Sequence, residues 1–304
     1  MKKKKIIIGS RGSKLALIYA EKAKSELLKI KNIDHIDIKP ITTAGDIIQN
    51  VRLSEHGGKG LFSTKIEEEL LDEKIDIAVH ALKDMPSQET KELITNCFLE
   101  RNDPREILIS KKNKHFKDLD SGSVIGTSSF RREFQLKKIR KDLDYKLIRG
   151  NIDTRIKKLD DGLYNAIILS YAGIKFLNLE NKISQIFSIS ELIPSAGQGV
   201  IALQCRKNDK EVIELLNKAN HKLTGIRVKA ERNVLKILDG DCHTAVGIFA
   251  KINSNKIELE AELFSLDGNE RFYVKLSKDI NLAEELGKEV GEILKKKSKN
   301  SYKK

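Results

Sequence analysis

The chain has 304 residues, 39% hydrophobic and 33% charged, which is long enough for two or three domains with cores of their own. It contains no run of about 18 apolar residues, so no membrane-spanning helix is expected. The three isoleucines at 6–8 that follow the first lysines are too short a run for a signal peptide, so a cytoplasmic protein is expected.

The net charge of +13 suggests a nucleic-acid partner, but four lysines at 2–5 and six at 295–304 carry ten of those charges and leave residues 6–294 at +3. The lysine runs read as disordered, solvating tails. There is no Trp, and the aromatics are not interleaved with basic residues as a base-stacking surface needs, so no nucleic-acid partner is expected. Cys97, Cys205 and Cys242 are widely spaced with no CxxC pair, which argues against a metal site or a disulfide framework.

Residues 5–9 read as a strand, followed by Ser10, Arg11, Gly12 and Ser13 and then a helical stripe through Leu15, Ile18, Ala23 and Leu27. Ser13 is a plausible N-cap. A strand, a Ser/Gly turn and a helix start can hold an anion on free backbone N–H groups, with Arg11 adding charge; the same turn also serves as an ordinary βα connection. Residues 35–41 predict a second strand. Residues 42–60 are a long polar connection ending in Gly57-Gly58-Lys59-Gly60, a candidate cover without P-loop spacing. An amphipathic helix is expected over 62–73.

Residues 75–79 are apolar and rich in β-branched side chains, as in a strand buried on both faces. Lys83 and Asp84 come at its end, and Pro86 stops it. Ligands of open α/β sheets gather at the carboxyl ends of strands, so this cation and carboxylate are candidates for chemistry, although exposed strand-end ion pairs are also common and weak. Residues 93–99 form another apolar segment, and the charged stretch 100–105 is a candidate domain crossover. Strands are expected at 107–110 and 124–127. Ser128, Ser129, Phe130, Arg131 and Arg132 then open a helix to about residue 139. Arginine is unfavourable beside the positive end of a helix dipole, so the pair favours a bound anion there over an ordinary surface turn. Another strand ends in Arg149-Gly150-Asn151, Arg155 follows one helical turn later, and residues 166–170 are a buried strand.

The arginines at 11, 131, 132, 149 and 155 all lie at or just beyond strand ends, which suggests one cleft suited to carboxylates or phosphates. A glycine turn at 195–199, containing Gln198, precedes an apolar strand at 200–205. A helical stripe from Leu223 to Leu238 follows, with Gly240 as its expected terminator. Cys242 lies just beyond on a loop, before three strands and a helix over 281–297.

These segments together resemble the porphobilinogen deaminase family along nearly the whole chain. The matching stretches are Gly9 to Ser13, Gly57 to Phe62, residues 76–86 with Lys83 and Asp84, Asp103-Pro104-Arg105, Gly126 to Ser129 with Arg131 and Arg132, Arg149-Gly150-Asn151, Gln198-Gly199, and Glu231-Arg232 leading to Gly240-Asp241-Cys242. No single motif would suffice; their number and order make the match specific.

The resemblance implies an α/β fold of two periplasmic-binding-protein-like lobes with mixed sheets and a small α+β C-terminal domain. The expected division is residues 1–99 with 195–217, residues 100–194, and residues 218–304. It implies a monomeric transferase that joins four porphobilinogen molecules head to tail with loss of ammonia, giving linear hydroxymethylbilane for tetrapyrrole synthesis. A dipyrromethane cofactor would be attached to Cys242 by a thioether, with Lys83, Thr127, Ser129, Arg131 and Arg132 around it. Asp84 would be catalytic. Arg11, Ser13, Lys59, Arg149, Arg155 and Gln198 would bind substrate. No metal is implied. Glu55, Phe176 and Asp241 depart from the family pattern, which often has lysine, arginine and glycine there. A non-catalytic two-lobed anion-binding protein is the competing reading; it explains the arginines but gives Cys242 no role.

Overall fold

The computed structural model describes residues 4–30, 33–47, 60–240 and 244–303. The first part of the chain forms β1 (Lys4–Arg11), α1 (Lys14–Leu28), β2 (Ile33–Ile41), α2 (Ala44–Ile47), α3 (Thr64–Leu71), β3 (Ile77–Ala81) and β4 (Leu93–Phe98). It then crosses to β5 (Glu106–Ser110), β6 (Val124–Gly126), α4 (Phe130–Ile139), β7 (Asp144–Lys146), α5 (Ile152–Asp160), β8 (Ala166–Ser170), α6 (Tyr171–Phe176) and β9 (Gln185–Ile186). A second crossing brings it back for β10 (Ile201–Arg206) and α7 (Lys210–Ala219).

The two sheets have the same plan. Their strand orders are β2-β1-β3-β10-β4 and β7-β6-β8-β5-β9. The first three strands of each are parallel. The fourth, β10 or β5, runs antiparallel to both neighbours, and it is the strand by which the chain enters after crossing over. Parallel strands must be covered on both faces, which is why Ile6, Ile8, Ile77 and Val79 in one lobe and Ile125, Ile167 and Ile168 in the other are buried.

The two crossings lie side by side. Leu99 N–H donates to Ile201 O at 3.0 Å, and Asn102 N–H to Gly199 O at 2.8 Å. Gly199 has φ +81°, and a Cβ on it would lie 2.5 Å from the Asn102 carbonyl oxygen. Only glycine allows both that backbone conformation and that approach.

The remaining chain forms α8 (Lys222–Leu238), β11 (Val246–Asn253), β12 (Lys256–Phe264), β13 (Arg271–Asp279) and α9 (Ala283–Ser298). The strands make an antiparallel sheet, β11-β12-β13. Its apolar residues, among them Ile248 and Leu259, share one core with Val234 and Leu238 of α8 and Leu286, Val290 and Leu294 of α9.

The observed elements correct several expectations. The helix expected over 62–73 is shorter, because residues 61–63 form a turn in which Ser63 and Thr64 N–H both donate to Gly60 O at 2.9 Å. The left-handed residue that ends α8 is Asp239, at φ 48°, and not Gly240. The C-terminal lysine run is not a solvating tail. Lys295, Lys296 and Lys297 sit on the exposed side of the last turn of α9, where cations suit the helix dipole. Beyond them Tyr302 is 1% exposed, and its hydroxyl donates to Leu238 O at 3.0 Å. Leu294, Ser298 and Tyr302 continue the buried stripe that the lysines conceal from a reading of charge alone. Among the described residues no helix is long and apolar enough to cross a membrane.

Candidate active site

The site begins where β3 ends. Residues 77–80 are buried, and the chain turns at Leu82–Asp84 into Pro86. Leu82 and Met85 are buried and anchor the turn, while Asp84 between them is exposed. Leu82 N–H donates to Val200 O at 3.0 Å. From the third sheet's side, the Arg232 guanidinium donates to the carbonyls of Met85, Pro86 and Ser87. The peptide carrying Asp84 is therefore fixed from two directions.

Lys83 faces the other lobe. Its Nζ lies 3.4 Å from Ser170 Oγ and 3.5 Å from Gln198 Oε1, both long contacts. Burial lowers the Lys83 pKa, while the neighbouring Asp84 charge opposes that shift. Gln198 is buried; its Nε2 donates to Pro104 O at 2.6 Å, which ties the two crossings together beneath the cleft.

Arg11 and Ser13 share a cavity of about 60 Å³ with Asp84. Ser13 caps α1, its Oγ accepting from Ala16 N–H at 3.4 Å. Arg11 donates through Nε and Nη2 to Asp46 Oδ1, at 3.2 and 2.5 Å, and lies 4.0 Å from the Phe62 ring centroid. Burial works to raise the Asp46 pKa, but hydrogen bonds from Arg11 and Thr43 outweigh it and hold it low.

The anion expected beside Arg131 and Arg132 has an internal counterpart. Arg131 Nη2 lies 2.6 Å from Glu106 Oε1, and Arg132 Nη2 lies 2.7 Å from Glu106 Oε2. Both arginines also donate to carbonyls, Arg131 to Ile193 O at 2.9 Å and Arg132 to Ile168 O at 3.1 Å. Glu106 is fully buried; burial would raise its pKa, but the two guanidinium charges lower it to about 2. Arg132 Nε is buried and finds no acceptor among the described residues. Ser129 caps α4, accepting from Arg132 N–H at 3.4 Å, and Thr127 Oγ1 accepts from Ser129 N–H at 3.2 Å.

Arg149 is buried, and Arg155 Nε donates to Gly150 O at 2.8 Å. Burial, with the charges of Arg132 and Arg149, pushes the Arg155 pKa down to about 10, and Asp84 opposes the shift. Arg155 is thus within electrostatic reach of Arg132, Arg149 and Asp84. Phe176, where the family pattern often has arginine, packs edge-on against Tyr19 of the other lobe with ring centroids 5.0 Å apart.

Lys59 and Cys242 lie outside the described residues, as do Glu55, Asp241 and His243. Cys97 and Cys205 are fully buried. Burial pushes their thiols up to about 12 and about 11, which keeps them as unreactive core groups.

Sequence reasoning missed Asp46 and Glu106 as partners of the arginines. An acidic residue opening the otherwise apolar strand at 106–110 was the available signal for Glu106. Asp46 gave none, because a carboxylate in a polar connection is ordinary.

Residues 6–214 match the family model described as porphobilinogen deaminase, dipyromethane cofactor binding domain, and residues 225–296 match porphobilinogen deaminase, C-terminal domain. The porphobilinogen deaminase of Rickettsia typhi is 41% identical over 284 residues, 93% of this chain and 95% of that protein. That of Clostridioides difficile is 40% identical over 296 residues, 97% of this chain and 98% of that protein. Among solved structures, the probable amino-acid ABC transporter extracellular-binding protein ytmK from Bacillus subtilis aligns at 16% identity and TM-score 0.46, covering 72% of this chain and 90% of that one. With two family models spanning most of its length and relatives near 40% identity over nearly all of it, the chain belongs to the porphobilinogen deaminase family.

Proposed function

We propose that this protein condenses four porphobilinogen molecules head to tail, releasing one ammonia at each addition and consuming one water when the product is released, to give linear hydroxymethylbilane for tetrapyrrole synthesis. The observation that carries the reading is the meeting of one exposed carboxylate, Asp84, with arginines contributed by both lobes. Each pyrrole unit carries an acetate and a propionate, so a growing chain needs several cations, and a body of small net charge supplies them at one place.

The residues present fit a dipyrromethane cofactor. The buried, unpartnered Nε of Arg132 is a donor awaiting an acceptor, and carboxylates are the acceptors such a group carries. Arg131, Arg132, Lys83, Ser129 and Thr127 would hold it, and Cys242 would attach it. When bound, it supplies the pyrrole end to which the first substrate unit is joined.

Arg11, Ser13, Lys59, Arg149, Arg155 and Gln198 would bind and orient the incoming substrate. Departure of ammonia leaves the substrate methylene positively charged. In this reading the fixed Asp84 carboxylate stabilises that charge where it develops. The new carbon–carbon bond forms at the free α carbon of the chain end, which then loses its proton. The described residues around the cleft come from both lobes and both crossings of one chain, and the reading takes the protein to be a monomer.

The test is incubation with porphobilinogen and measurement of ammonia and product. Four ammonia released per linear tetrapyrrole is the expected result. Saturable binding without ammonia release would instead support a non-catalytic anion-binding protein.

A further inference from the structure

Tyr19 lines the cavity that Asp84, Arg11 and Ser13 share. Its ring meets Phe176 edge-on, with centroids 5.0 Å apart and planes at 76°. Tyr19 is on α1 of the first lobe and Phe176 on α6 of the second, so the contact spans the two lobes. One turn earlier on α1, Leu15 approaches Gly173 of α6, where a Cβ would meet the Leu15 side chain at 3.5 Å. This second contact on the same helix pair fixes how α6 lies along α1. Edge-to-face packing of this kind restricts a ring's orientation.

We propose that Tyr19 is a further substrate-positioning residue, its phenol O–H donating to a carboxylate of porphobilinogen in the Asp84 cavity, with Phe176 holding the ring in place. The proposal rests on the reading of that cavity as the substrate site. Burial, and after it the nearby Asp84 charge, raises the Tyr19 pKa, so the phenol stays a neutral donor throughout the physiological range. A neutral donor has a specific advantage here. A cation at this position would attract the Asp84 carboxylate and compete with the positive charge that develops on the substrate, whereas a phenol adds a hydrogen bond without a competing charge.

The test uses the full chain and compares Tyr19→Phe, which keeps the ring, with Phe176→Leu, which removes its edge-on support. Tyr19→Phe is expected to raise KM for porphobilinogen about tenfold, the loss of one hydrogen bond to a charged group, with kcat within about twofold. Its urea midpoint should equal that of wild type. Phe176→Leu should raise KM in the same direction by a smaller factor. Calorimetric titration of porphobilinogen into the Asp84→Asn protein, with and without Tyr19→Phe, reads binding apart from turnover and should show the same tenfold weakening. An unchanged KM and Kd, or a lowered midpoint with unchanged KM, would overturn the role assigned to Tyr19. If wild type released no ammonia from porphobilinogen, the functional reading would fail instead, while the titration would still decide whether Tyr19 contacts this ligand.

Discussion

Arg101 and Glu231 form a buried ion pair at the junction of the three sheets, with Arg101 Nη1 2.5 Å from Glu231 Oε1 and side chains 1% and 0% exposed. Arg101 lies on the outgoing crossing. The same carboxylate accepts from Gly197 N–H on the returning crossing at 2.7 Å and from Ala250 N–H of β11 at 2.8 Å. One side chain of α8 thus fixes both crossings to the third sheet. Breaking a buried pair leaves an uncompensated charge, so Arg101→Leu should cost about 3–5 kcal/mol of stability. Urea unfolding measures this, and a midpoint equal to wild type would show that the pair does not hold the junction.

Glu106 gives a pH dependence with a defined sign. Its folded pKa of about 2 lies below its ordinary value of 4.5, so its contribution is present in full above about pH 4.5. That contribution is lost as pH falls from 4.5 towards 2, and the shift corresponds to roughly 3 kcal/mol. Urea midpoints measured from pH 6 to pH 2.5 should fall more steeply for wild type than for Glu106→Gln. Parallel curves would remove Glu106 as the counterion of Arg131 and Arg132.

Asp84→Asn should fold normally, because Asp84 is exposed and its turn is held by Leu82, Met85 and Arg232. It keeps the size of the side chain and removes the charge facing the developing cation. The expected loss is about two to three decades of turnover, or roughly 3–4 kcal/mol. Steady-state ammonia release measures it, and retention of more than about a tenth of the activity would exclude the electrostatic role.

Arg149→Leu should give a folded protein with impaired elongation, since truncating one partner of a desolvated charge contact costs about 2–5 kcal/mol. Arg149→Lys should recover only part of this, because the planar fork is lost. Chain-length analysis of the bound intermediates is the readout. A normal distribution in Arg149→Leu would remove Arg149 from the carboxylate-binding set.

The sequence revealed what depends on local chemistry. Ser13 was legible as a helix cap because a short hydroxyl before a helical stripe has little else to do, and it caps α1. The buried strand ending in Lys83 and Asp84 was legible from its β-branched run. What depends on distant partners was not. Glu106 is 25 and 26 residues from the arginines it joins, and Glu231 is 130 residues from Arg101. The lysines at 295–297 hid the packing of Tyr302, because charge on one face of a helix says nothing about the opposite face.

The central claim is most directly tested by the intact mass of the purified protein, followed by peptide mapping. The account predicts an increment of two linked pyrrole units, carried on Cys242, absent from Cys242→Ser along with the activity, and retained in Cys97→Ala and Cys205→Ala. A thioether needs a sulfur nucleophile, and the other two thiols are buried with raised pKa values. An unmodified mass in an active protein, an increment mapped to Cys97 or Cys205, or a fully active Cys242→Ser protein would contradict the account.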